Sequence, residues 1–115
     1  LRTMVRAKTP ARCLLVTDAM MAAGAAPGRY RLGDLEVEAS PDGRVAAPGS
    51  PTLAGSSLTM CAAVGHACRW ATQDVGVAWA MASTQPASFI GTVPRGRATV
   101  VWSDDFASVL RVDFN

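Results

Sequence analysis

The sequence has little charge, no basic stripe and no long apolar run, and these shortages exclude two classes of partner. Only 17% of the 115 residues are charged, and eleven basic residues against nine acidic ones leave a net charge of +2. The basic residues are scattered along the chain, so nucleic acid is not indicated as a partner. Uncharged apolar runs such as Val75 to Ala82 are far below the ~18–20 residues that cross a bilayer. We therefore expect no membrane segment either.

Cysteine is also scarce, and its pattern excludes a disulfide framework. The three cysteines, Cys13, Cys61 and Cys68, are an odd number. The first residues do not resemble a secretion signal, because Arg2 and Arg6 are not followed by an apolar stretch. We therefore expect reduced thiols and a cytoplasmic location.

The length limits the architecture. At 115 residues and 12.0 kDa the chain can form one small domain or part of a larger one. A complete (β/α)₈ barrel needs about 200 residues or more. Half of the residues are hydrophobic, which is enough to build a core and makes intrinsic disorder a poor interpretation.

The first third of the chain contains a helix, a strand and a loop. The pattern predicts helical turns over Leu1 to Lys8, ended by Thr9-Pro10, because proline restricts the residue before it. The apolar run Cys13 to Val16 is typical of a strand buried on both faces of a parallel sheet. A loop from Ala19 to Gly28 follows it.

Alternating residues then predict a β-hairpin over 29–46, with turns at Gly33-Asp34 and at Pro41-Asp42-Gly43. The Pro/Gly/Ser-rich segment 47–57 predicts a loop. No internal repeat is visible in the sequence.

The second half contains the helices and a pair of strands. Apolar residues at three- and four-residue spacing predict a helix over 58–70, capped by Ser56 or Ser57. Further helical segments are predicted over 75–83 and from Pro86 to Ile90, where Gly91 ends the turn. Two terminal strands are expected at 99–102 and 109–112.

One carboxylate stands out as a candidate catalytic group. Asp18 follows the predicted buried strand, and the carboxyl ends of parallel strands are where α/β enzymes collect catalytic residues. An aspartate in that place can equally be a turn former or a helix cap, which is the more frequent role.

A metal site on the helix 58–70 is not favoured. Cys61 and Cys68 share a helix face, whereas His66 points about 140° away from Cys61 at 100° per residue. Core cysteines and a half-exposed histidine are the better interpretation. The three tryptophans fall on different predicted elements and are interpreted as packing residues: Trp70, Trp79 and Trp102.

Four motifs resemble one family in order and spacing. They are LVTDAM at 15–20, GRYRLG at 28–33, TLAGSSLTM at 52–60 and MASTQPA at 81–87. Together they resemble the C-terminal part of the N-acetylglucosamine-6-phosphate deacetylases of the amidohydrolase superfamily, over residues 6 to 91. The resemblance implies an α/β fold: the C-terminal portion of an amidohydrolase-type TIM barrel over 1–91, with its last strand, a hairpin insertion and the following helices. Residues 92–115 would be terminal strands of a small β-sandwich.

The resemblance also implies a chemistry. Such an enzyme uses a divalent metal, zinc or iron, to remove acetate from an amino-sugar phosphate substrate. Asp18 matches the catalytic carboxylate, which would act as base and then as acid. Leu53, Ala54 and Gly55 match the substrate-contacting turn, where glycine permits close approach and the helix start at Ser56-Ser57 offers N–H groups to sugar hydroxyls or an anion.

The metal ligands of that family lie on earlier barrel strands, so the resemblance implies that they lie outside this chain. The 115 residues alone are then expected to be inactive and marginally stable, and the full-length protein to be a homo-oligomer. Two alternatives stay open: a deacetylase for another N-acetyl hexosamine phosphate such as the galactosamine epimer, and a non-catalytic barrel remnant.

Overall fold

The computed structural model describes residues 1–93 and 95–114 and divides the chain into two compact units. Unit 1 contains Leu1–Val16 together with Met60–Asn115, and unit 2 contains Thr17–Thr59. Pro94 and Asn115, which belong to the predicted segment 92–115, lie outside the described residues. The C-terminal strands group with the helices of unit 1. The predicted boundary after residue 91 concerns the domains of a larger enzyme and stays a prediction.

Unit 2 is built on a four-stranded antiparallel sheet with the strand order β1-β2-β3-β4. The strands are β1 Gly28–Leu32, β2 Leu35–Ala39, β3 Arg44–Ala46 and β4 Leu53–Ser56. Gly33 and Gly43 take the positive φ values, 60° and 82°, that the two connecting turns require. The antiparallel strands predicted for 29–46 are therefore present, as a three-stranded meander.

The loop prediction for 47–57 is wrong over the four residues of β4. The segment LAGS has weak β propensity, and pairing with β3 decides its conformation: Val45 lies opposite Gly55 and Arg44 opposite Ser56. The fourth strand helps to cover a small core of buried residues, which are Ala22, Val37, Ala39 and Val45.

Unit 1 is mainly helical. Its helices are α1 Arg2–Lys8, a 3₁₀ turn at Pro10–Arg12, α2 Met60–Ala67, a π-helical turn at Cys68–Thr72, α3 Val75–Ala82 and α4 Thr84–Phe89. The helices predicted for 1–8, 58–70 and 75–90 are confirmed, with α2 beginning two residues later than expected. Within residues 1–93 and 95–114, no helix has both the length and the apolar character that a membrane crossing requires.

The helix ends follow from local chemistry. The Asp74 carboxylate accepts a hydrogen bond from the Val77 N–H at 3.1 Å and so caps the start of α3. Gly91, with a φ of 73°, follows α4 and ends it as predicted. The predicted cap of α2 is wrong: the Ser56 hydroxyl accepts from the Leu58 N–H at 3.2 Å, ahead of the helix, because Ser56 belongs to β4.

A β-hairpin completes unit 1. Strands β5 Ala98–Trp102 and β6 Val109–Phe114 pair antiparallel, which confirms the two predicted terminal strands. The hairpin packs on α2 and α3, where the Trp102 indole N–H donates to the Cys61 carbonyl at 3.3 Å. Trp79 and Trp102 meet edge to face with ring centroids 5.9 Å apart. The packing role predicted for these two tryptophans is confirmed.

The predicted parallel strand Cys13 to Val16 is not formed. The segment is extended and partly exposed, and two backbone bonds hold it, from the Cys13 N–H to the Pro10 carbonyl at 3.0 Å and from the Leu15 N–H to the Met81 carbonyl at 2.9 Å. A strand inside a parallel sheet needs hydrogen-bonded neighbouring strands along its edges and helices over its faces. None of the other described residues provides such a partner.

Candidate functional site

Asp18 lies in a tight turn at the start of unit 2. The Thr17 hydroxyl accepts a hydrogen bond from the Ala19 N–H at 3.3 Å, closing a turn in which Asp18 has a φ of 49°. Aspartate is one of the few residue types that tolerate this left-handed conformation. The Asp18 residue is exposed, so its carboxylate is accessible to a reactant.

The residues after Asp18 lie against the end of β4. Ala19 forms a parallel bridge with Ser56, and the Met20 N–H donates to the Ser56 carbonyl at 2.9 Å. Both partners belong to unit 2, so the sheet itself joins the Asp18 turn to the segment 53–56. The structure thus brings together the two motifs that carry the predicted site.

The predicted substrate residues form a strand instead of a turn. Leu53 is 66% exposed, whereas Ala54 is partly buried and packs against the core of unit 2. Gly55 lies opposite Val45 in the ladder with β3. The three residues therefore differ in solvent exposure, and Leu53 has the largest exposed side chain of the three.

Ser56 and Ser57 do not form the predicted helix start. The Ser57 hydroxyl donates to the Gly43 carbonyl at 2.5 Å, which ties it to the turn between β2 and β3. The first residue of α2 is Met60. The expectation that these two serines offer helix N–H groups to a ligand is wrong.

Sequence reasoning missed Met20. A β-carbon added to Gly55 would lie 2.5 Å from the Met20 sulfur and 3.1 Å from its Cγ, so the methionine side chain occupies the space that Gly55 leaves open. A glycine inside a strand marks a place of close approach, and this signal could have pointed to a protein neighbour as well as to a ligand.

The described residues contain no group of three or more His, Cys, Asp or Glu side chains that could hold a metal ion. His66 instead stacks on Trp70 in unit 1, with ring centroids 4.3 Å apart and planes 18° apart. Burial and, to a smaller extent, the charge of Arg69 lower the pKa of His66 below its ordinary value. Trp70, for which a packing role was predicted, is half exposed and packs on His66 through this stack.

Comparison with curated proteins finds amino-sugar phosphate deacetylases. The chain is 40% identical over 80 residues to N-acetylglucosamine-6-phosphate deacetylase of Vibrio furnissii, covering 70% of this chain and 20% of the relative. It is 37% identical over 108 residues to a putative N-acetylgalactosamine-6-phosphate deacetylase of Escherichia coli, covering 88% of this chain and 64% of the relative. The chain thus spans less than two thirds of the length of either relative. No protein-family model matches it.

Comparison with solved structures also finds N-acetylglucosamine-6-phosphate deacetylases. The fold is similar to that of a Mycobacterium smegmatis N-acetyl-D-glucosamine-6-phosphate deacetylase variant solved with N-acetyl-D-glucosamine-6-phosphate, at a TM-score of 0.69 and 32% identity. The similarity covers 97% of this chain and 32% of that chain. The resemblance that the motifs predicted is therefore confirmed in both sequence and fold.

Proposed function

We propose that this chain is the C-terminal part of an N-acetylglucosamine-6-phosphate deacetylase, because it is similar to such enzymes in sequence and fold. The complete protein would hydrolyse N-acetylglucosamine 6-phosphate to glucosamine 6-phosphate and acetate. One observation carries the proposal: the accessible Asp18 turn is bonded to the end of β4, beside the predicted substrate residues.

Asp18 is proposed as the acid/base of this reaction. Its carboxylate takes a proton from the attacking water, whose oxygen bonds to the acetyl carbonyl carbon. When the carbon–nitrogen bond breaks, the same carboxyl returns the proton to the departing amine. General acid–base catalysis of this kind contributes about 10²- to 10⁴-fold to a rate.

Leu53, Ala54 and Gly55 are proposed to contact the sugar. β4 is the last strand of its sheet, and the exposed Leu53 side chain offers an apolar surface to a sugar ring. Ala54 supports that surface from the core side, through its packing in unit 2.

A divalent metal, zinc or iron, is part of the proposal. The described residues hold no suitable ligand group, so the ligands are assigned to the remainder of the complete protein. When bound, the metal would supply an activated water at neutral pH. The proton transfers proposed for Asp18 do not require a metal ligand from these 115 residues.

We propose that this chain forms the end of the TIM barrel of the complete enzyme, and that β5 and β6 belong to a small β-sandwich. Leu14 and Val16 in the extended segment 13–16 are exposed although both are apolar. Such a segment is suited to join a parallel sheet supplied by other residues. We accordingly expect the isolated 115 residues to have no deacetylase activity.

A second substrate is supported by a specific observation. The Escherichia coli relative that aligns with 88% of this chain and is described above bears the name of a putative N-acetylgalactosamine-6-phosphate deacetylase. The two sugars differ in the orientation of one hydroxyl, so kcat/KM of the complete protein on both N-acetyl sugar phosphates decides between them. A complete protein that hydrolyses neither would be a non-catalytic remnant.

The test of the mechanism is Asp18→Asn in the complete protein. The expected result is a loss of kcat of about 10²- to 10⁴-fold, because the amide cannot take up the proton. Asp34→Asn is the matched control, since Asp34 is also an exposed aspartate at a turn of unit 2. Near-normal turnover by Asp18→Asn would refute the acid/base role.

A further inference from the structure

Gly55 is a glycine because of its neighbour and not because of its backbone conformation. Its φ is not in the left-handed region, so the backbone alone would accept any residue. The restriction is spatial: the Met20 sulfur, Cγ and Cβ lie 2.5, 3.1 and 3.5 Å from the position that a β-carbon would take. Gly55 therefore leaves room for a particular side chain.

Met20 is fixed by its backbone as well as by its side chain. Its N–H donates to the Ser56 carbonyl at 2.9 Å. Its side chain packs against the buried core of unit 2, which includes Val37 and Val45, and covers Gly55. Both attachments hold the methionine against the same strand, β4.

Only one residue separates this anchor from Asp18. Ala19 bridges to Ser56 and also donates its N–H to the Thr17 hydroxyl, so the residues on each side of Asp18 are held. A displacement of Met20 from β4 would therefore be transmitted to the Asp18 turn within two residues.

We propose that Met20, lying in the space left open by Gly55, is a positioning residue that holds the Asp18 carboxylate beside β4. The inference rests on the proposed function for its catalytic consequence. It assigns the need for a glycine at position 55 to the placement of Asp18, beside the sugar contact proposed above, whereas a need set by the sugar contact would assign it to binding. The two roles predict different kinetic changes.

The kinetic test uses Gly55→Ala, Met20→Ala and the double variant in the complete protein. The added methyl group of Gly55→Ala must push Met20 aside, so kcat should fall by about 10- to 100-fold with little change in KM, as for a misplaced catalytic group. Met20→Ala frees the same space, so the double variant should regain at least about 5-fold in kcat over Gly55→Ala. Met21→Ala, at an exposed neighbouring methionine, is the matched control and should resemble the wild type.

A different set of kinetic results would indicate that position 55 requires glycine for substrate binding. A higher KM in Gly55→Ala with unchanged kcat, and no rescue by Met20→Ala, would overturn the proposal and leave Gly55 as a substrate contact. Met20→Leu provides a second variant that keeps an apolar side chain of similar volume. It should retain more of kcat than Met20→Ala.

A measurement without turnover separates this proposal from the proposed function. The carboxyl ¹³C resonance of Asp18, identified by its loss in Asp18→Asn, should move in Gly55→Ala and return toward the wild-type position in the double variant. An Asp18 resonance unaffected by Gly55→Ala would overturn the positioning role. A moved and restored resonance in a protein inactive on both sugars would support the positioning role while refuting the deacetylase assignment.

Discussion

Replacing Gly65 with alanine should detach the C-terminal hairpin from α2. Gly65 is buried in the middle of α2. A β-carbon added there would lie closer than 3.0 Å to the Phe106 carbonyl oxygen and 3.5 Å from the Trp102 Nε1. The first neighbour is backbone, which cannot rotate away as a side chain can. The hairpin turn must therefore move outward.

The expected cost follows from two opposing effects. In an open helix interior, alanine is more favourable than glycine by about 1 kcal/mol. Overfilling a packed contact costs about 1–3 kcal/mol. Moving the hairpin also weakens the bond from the Trp102 indole to the Cys61 carbonyl, worth about 1 kcal/mol. We expect a net loss of about 1–3 kcal/mol in the free energy of unfolding of unit 1.

Urea denaturation followed by tryptophan fluorescence measures this loss, because all three tryptophans of the chain belong to unit 1. Gly76→Ala is the control at the other helical glycine, where the nearest atom is the Asp74 side-chain oxygen at 3.3 Å. That oxygen also caps α3, so its small displacement offsets the gain of alanine over glycine in a helix and the control should be close to neutral. A Gly65→Ala protein as stable as Gly76→Ala would show that the Phe106 carbonyl does not lie against α2.

Two further predictions concern unit 1. Met81→Ala should lower the free energy of unfolding by about 2–5 kcal/mol, because Met81 is 1% exposed. Met4→Ala is the control, since Met4 is 71% exposed and its loss should change the free energy of unfolding little. Equal urea midpoints of the two variants would contradict this prediction. His66 has a lowered pKa in the folded protein, so the unfolded chain binds the proton more readily and stability should fall as the pH drops below the ordinary value of 6.5. His66→Phe keeps a ring to stack on Trp70 and should lose this part of the pH dependence of stability. The measurement is the urea midpoint of both proteins at pH about 7.5 and about 5. If the pH dependence is unchanged in His66→Phe, it arises from other groups.

The helices and turns were predictable because their signals are local. Pro10 ends α1, Asp74 caps α3 and Gly91 ends α4, each through its own backbone or side chain. The turns at Gly33 and Gly43 follow in the same way from the need for positive φ. Such features depend on a few adjacent residues and are visible in one sequence.

The candidate site was predictable only in part. The position of Asp18 in a turn and the family resemblance came from contiguous motifs. The pairing of Ala19 with Ser56 and the contact of Met20 with Gly55 join residues more than thirty positions apart along the chain. Nothing in the local composition around Gly55 distinguishes a glycine that faces a ligand from one that faces a methionine.

The sequence by itself determined where this chain forms helices and tight turns, and which family of enzymes it resembles, because these depend on short-range sterics and on ordered motifs. The tertiary structure decided that 53–56 is a strand, that 13–16 remains unpaired among the described residues, and that Met20 fills the space beside Gly55. The physical reason is that strand pairing and close packing depend on partners distant in the chain, whose availability no local pattern encodes.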